Sequence, residues 1–190
     1  MKSLWRLLLL VVLPAAAFCQ QMEHPMEKAA PSEAQQTFTQ IKALAGEWEG
    51  AVAVEPPMPG MKDQPIKPLH LTMRVTSRGH TLVHEFQEAG TVLDATKYDH
   101  PVTMFYVDDN ALSLVHYCDA GNRPHMVARK SADGKTIDFD FVDLSGSNQH
   151  GHMAHATFTM VDADHHVEEW TYMLPGDKPV HARMTLTRTK

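Results

Sequence analysis

The sequence predicts an all-β protein: an up-and-down antiparallel β-barrel of about ten strands, one end closed by a short N-terminal helix. Three observations carry that prediction. From Glu47 to the C-terminus hydrophobic residues recur at every second position, the period of a half-buried strand. The alternating runs are joined by short connections rich in Gly, Asp and Asn, and short connections make sequence neighbours antiparallel neighbours in space. A meander of this length leaves two unpaired edges unless its first and last strands meet, and closure lets one face of every strand share an interior. A two-sheet sandwich of the same strands is the alternative.

The chain has 190 residues, 43% hydrophobic and 21% charged, which suits one globular domain. Residues 1–19 read as a secretory signal peptide, with basic Lys2 and Arg6, the apolar run LLLLVVLPAAAF and small residues before Cys19. That run is too short for a stable transmembrane anchor, and no later stretch is long or apolar enough to span a bilayer. The expected location is therefore periplasmic or secreted. Cleavage removes two bases and no acid, so the net charge of −6 becomes more negative by two. An acidic protein argues against nucleic acid and anionic membranes as partners. Without Cys19, Cys118 has no intramolecular disulfide partner and reads either as a small buried hydrophobe or as a ligand or reactive thiol.

Residues 20–32, polar and proline-bearing, read as a flexible leader, leaving 33–190 as the barrel domain, a monomer or weak homodimer. Ser32 caps a helix in which Phe38, Ile41, Leu44 and Ala45 recur at helical spacing until Gly46 ends it. Trp48 to Val54 begins the strands, and the Pro- and Met-rich EPPMPGMKDQPIKP is a long loop. Leu69, Leu71, Met73 and Val75 form the next strand, and Arg78-Gly79 turns the chain into HTLVHEFQ. PVTMFYV, ALSLVHYC, PHMVARK, TIDFDFV, HATFTMV, VEEWTYML and VHARMTLTR complete the series. About ten strands enclose more interior than their side chains fill, so a cavity is expected.

A helix, then Gly46-Glu47-Trp48, then a meander resembles the calycin superfamily of lipocalins, fatty-acid-binding proteins and nitrobindins. The resemblance implies that the helix closes the barrel's end and that the Trp48 indole packs beneath it. HYCDAGNRPHM (116–126) and HGHMAHATFTMVDADHHVEEW (150–170) are similar to segments of uncharacterised secreted bacterial DUF1579-like barrels, a likeness that implies a fold and no activity. Similarity to the nitrobindins, which bind haem through a histidine on the last strand, implies His181 as a haem ligand. No C-x-x-C-H motif would tether haem covalently.

Thirteen histidines are the one unusual feature of composition, and all lie beyond residue 19. His150, His152 and His155, followed by Asp162, Asp164, His165 and His166, suggest a transition-metal site. On a strand His150 and His152 share one face and His155 points to the other, so convergence needs a bulge or a turn at Gly151. A second candidate draws on several strands. If Leu112 and Leu114 face inward, so do His116 and Cys118; His84 shares a face with Leu82 and Phe86, and Glu168 with Trp170 and Tyr172. These residues would line an apolar cavity suited to a ligand with one polar end, or hold a metal through His84, His116 and a third group. Each histidine can equally be satisfied by a hydroxyl or carboxylate in the wall. Met22, Met26, Met58 and Met61 with His24 allow a soft copper reading. No nucleophile elbow, phosphate loop or dinucleotide fingerprint is present.

The expectation is an exported binding protein, not obviously an enzyme, holding a small apolar or amphiphilic molecule among His84, Phe86, His116, Cys118, Glu168, Trp170 and Tyr172, with no cofactor in the simplest case. The alternatives are a haem- or transition-metal-binding barrel using His84, His116, His152, His155 or His181, and an accessory barrel filled by its own side chains.

Overall fold

In the computed structural model, which describes residues 30–57, 66–131 and 133–190, Ser32 caps the helix α1 (Glu33–Lys42). The signal peptide, residues 20–29 of the leader, and Met58 and Met61 lie outside the described residues. Ser32 Oγ accepts from the Gln35 N–H at 3.2 Å, and the Ser32 N–H donates to the Gln35 side chain at 3.0 Å. This reciprocal pair satisfies two otherwise orphaned donors. The helix ends at Lys42, earlier than Gly46, for a physical reason. Carbonyls just beyond its last turn are claimed from outside: Ala43 and Ala45 accept from Arg188, and Leu44 accepts from the Trp48 indole at 2.8 Å.

Ten strands follow: β1 (Gly46–Glu55), β2 (Leu69–Thr76), β3 (Thr81–Glu88), β4 (Val102–Asp108), β5 (Ala111–Tyr117), β6 (Arg123–Lys130), β7 (Thr136–Ser145), β8 (His152–Met160), β9 (His165–Leu174) and β10 (Lys178–Arg188). Each pairs antiparallel with its sequence neighbours, and β1 pairs with both β2 and β10, from Trp48 opposite Arg188 to Glu55 opposite His181. The sheet is therefore a closed barrel, not a sandwich. Closure requires a glycine at one point: a Cβ on Gly50 would stand 1.9 Å from the Thr185 carbonyl oxygen, so β1 and β10 approach closely there.

The helix end of the lumen is solid. Phe38, Ile41 and Leu44 join the same buried cluster as Trp48, Leu112, Phe158 and Leu186. Trp48 is fully buried, its ring near-perpendicular to that of His166 with centroids 4.2 Å apart, and the Arg188 guanidinium lies 4.0 Å from the ring centroid. Phe105, Phe139 and Phe158 pack edge to face with centroids 5.4 to 5.8 Å apart, the arrangement favoured by ring quadrupoles. At the other end, the strand ends and loops among the described residues surround an open cavity.

Two bulges interrupt the ladders, between His125 and Met126 in the β6–β7 pairing and between Met153 and His155 in the β8–β9 pairing. The second decides which way the histidines of β8 face. It puts His152 opposite Met173 and His155 opposite Thr171, residues that alternate with inward Trp170 and Tyr172, so both histidines fall on the outer face.

Candidate functional site

The open end of the barrel holds a cavity of about 660 Å³. Its walls are mainly aliphatic and aromatic: Val52 and Val54 from β1, Leu69 from β2, Phe86 from β3, Met153 from β8, and Val180, Ala182 and Met184 from β10. Alternation along the strands supplies this lining, because the same parity that buries Leu71 and Leu186 further in brings Leu69 and Met184 to the cavity. Trp170 and His116 form its floor, with ring centroids 5.4 Å apart.

Below that floor lies a polar group that solvent does not reach. Glu168 and its partners His84 and His166 are each fully buried. His84 Nε2 lies 3.0 Å from Glu168 Oε2, His166 Nε2 lies 3.0 Å from Oε1, and the Trp170 indole N–H donates to Oε2 at 2.9 Å. Burial alone would raise the carboxyl, but the His84 and His166 imidazoles more than offset it and hold Glu168 below the usual carboxylate range. An ionised carboxylate only accepts, so both histidines donate from Nε2. A buried carboxylate with three N–H donors escapes most of the cost that an unpaired one would carry.

His116 is separate from this group. Its Nδ1 is 2.8 Å from Thr103 Oγ1, and its Nε2, fully buried, has no partner among the described residues. Burial, reinforced by the neighbouring His84, drives its pKa down to about 3, so the ring is neutral at ordinary pH.

The mouth is acidic. Lys67 is ion-paired with Glu88, while Asp99 and Asp119 line the rim together, the Asp119 N–H donating to Asp99 Oδ1 at 3.1 Å. Partial burial, with the Asp119 charge beside it, lifts Asp99 to about 6. Cys118 stands half-buried between them; burial pushes its thiol up, which keeps it from acting as a ready thiolate. Tyr172 completes the wall, its hydroxyl donating to the His150 carbonyl at 2.9 Å.

Of the expected ligand-lining residues, Phe86, His116, Cys118, Trp170 and Tyr172 line the cavity, while His84 and Glu168 lie in the polar group beneath it. The four candidate metal ligands are not brought together. His84 and His116 are interior; His152 bonds Asn148 and packs against Phe141, and His155 lies 3.5 Å from Asp140, both on the outer face. Among the described residues no three His, Cys, Asp or Glu side chains are grouped to hold a metal ion. His181 also faces outward: it sits opposite Thr171, bonding its hydroxyl at 3.1 Å, so a haem in the lumen would not meet it. Sequence reasoning overlooked His166 and Thr103 as interior groups. The signal for His166 was present, since it shares the parity of Glu168 and Trp170.

No protein-family profile and no curated protein matches the chain. Among solved structures it is similar to a protein of unknown function from the DUF3598 family of Nostoc punctiforme PCC 73102, at a TM-score of 0.51 and 12% identity. The match covers 79% of this chain and 49% of that one, so this chain spans about half the length of its structural neighbour. The likeness concerns the fold alone.

Proposed function

We propose that this protein is an exported, calycin-like binding protein that holds a small, largely apolar molecule in the open end of its barrel. The observation that carries the reading is the cavity of about 660 Å³, within the range of small-molecule sites and lined mostly by apolar side chains with a few polar groups. A barrel stabilised only by its own side chains would gain by filling that space, because unfilled apolar volume forfeits packing energy. The helix closing one end over Trp48, and the read signal sequence at 1–19, support the calycin-like and exported parts of the reading.

The test uses N-phenyl-1-naphthylamine, an uncharged probe that fluoresces in apolar surroundings, together with native mass spectrometry of gently purified protein. Saturable probe binding at one site per chain, or a retained apolar molecule, is the expected result. Absence of both defeats the proposal. A Soret band or stoichiometric zinc, copper or iron would replace it with a haem or metal reading.

A further inference from the structure

His116 lines the floor of the cavity, and its Nε2, which solvent does not reach, has no partner among the described residues; its hydrogen-bonding sense can be worked out. Thr103 is fully buried, and His116 Nδ1 is the partner of its hydroxyl among the described residues. If the hydroxyl accepted from an Nδ1–H, its own proton would be left without an acceptor in the interior, at a cost comparable to a lost hydrogen bond. The favoured arrangement has the Thr103 O–H donating to Nδ1. A neutral imidazole carries one proton, so it then lies on Nε2, the atom that is buried and unpartnered. The other N–H nearby, the Trp170 indole, is already spent on Glu168.

We infer that the cavity takes an apolar carbonyl compound, a ketone, aldehyde or ester whose C=O inserts first and accepts a hydrogen bond from His116 Nε2. This rests on the ligand-binding reading above and names the ligand's chemistry. A carbonyl oxygen only accepts, so one N–H satisfies it. An alcohol brings a proton that the aromatic and aliphatic floor leaves unpaired. A carboxylate is disfavoured twice: it would be buried against a neutral ring above the negative Glu168, and it must pass a rim where Asp99 and Asp119 outnumber the paired Lys67.

The test is displacement of N-phenyl-1-naphthylamine from the mature protein at pH 8 by decan-2-one, decan-2-ol and decanoate, which share a chain length. The ketone should displace the probe at about fivefold lower concentration than the alcohol and at more than tenfold lower concentration than the carboxylate, as one satisfied buried hydrogen bond implies. In His116→Leu the ketone-to-alcohol ratio should fall to about one; the ratio, not the affinity, is the readout. Should that variant fail to fold, Thr103→Val removes the hydroxyl that fixes the tautomer and should at least halve the ratio. Ring ¹⁵N shifts of His116 give an independent check, expected to show the proton on Nε2. Equal displacement by all three compounds, a preference for decanoate, or a proton on Nδ1 would overturn the inference while leaving the cavity reading intact. No probe binding, with no apolar molecule retained, would overturn both.

Discussion

Glu168 Oε2 and His84 Nε2 meet at 3.0 Å across the lumen, 84 residues apart in the chain, with both side chains fully buried. Their strands, β9 and β3, are not adjacent in the barrel, so this contact ties two separate walls through polar atoms in an otherwise apolar interior, while His166, on β9 itself, braces the same carboxylate from its own strand. Such a tie is costly to break from one side, because the partners left behind remain buried.

Glu168→Leu should therefore lower stability by about 3 kcal/mol or more, since three N–H donors lose their acceptor at once. Glu168→Gln keeps one acceptor oxygen and should cost less. Urea midpoints for the three proteins decide it; a loss below about 1 kcal/mol in the leucine variant would show that the group contributes little.

Stability should fall as acid is added below pH 6.5. His116 takes up a proton near 6.5 when unfolded and only at about 3 when folded, so in that window the unfolded chain binds more protons. The slope for this one group is about 1.4 kcal/mol per pH unit. Glu168, held low in the folded state, adds a loss of the same sign below its unfolded pKa. Asp99, raised to about 6, acts in the opposite sense, with its share reduced by solvent exposure. Chemical denaturation of wild type and His116→Phe between pH 7.5 and 4.5 should show the variant flatter by nearly one proton; parallel curves would refute this.

Arg188 fastens the helix to the barrel through carbonyl contacts at 2.7 Å to Ala45 and 3.1 Å to Ala43, while its guanidinium covers Trp48. Arg188→Ala should cost about 2 kcal/mol, and lysine should rescue it poorly because it lacks the planar fork. Hydrogen exchange across Glu33–Lys42 is the sensitive measure, and protection unchanged in the alanine variant would contradict the assignment.

The two interior tryptophans should behave differently. Trp170 lines the cavity, whereas Trp48 sits under the helix at the closed end. At matched folded fraction, Trp170→Ala should weaken retention of the naphthylamine probe more than Trp48→Ala does. Equal effects would make Trp170 a core residue only.

Much of this architecture is legible from alternation. The ten strands, the Ser32 cap and the inward parity of His84, His116 and Glu168 all follow from spacing, because a pleated strand allows a side chain only two directions. What spacing does not reveal is what a residue meets across the lumen. Glu168 finds His84 because of how the barrel closes, and nothing local to either residue specifies that. Bulges hide in the same way: an extra residue near Ala154 aligns His152 with His155, but on the outer face. His181 shows the converse: its strand alternates as the sequence predicts, and its outward parity is fixed by the register with Thr171.

The pairing of β1 with β10 also governs when the molecule can become whole. The two strands are the first and last of the barrel, so every other ladder joins sequence neighbours and can form before the seam that joins first to last. Long-range closure of this kind is slow compared with local pairing. A folding chain would thus stay unsealed, one ladder short of its final form, until β10, already paired with β9, had also reached β1.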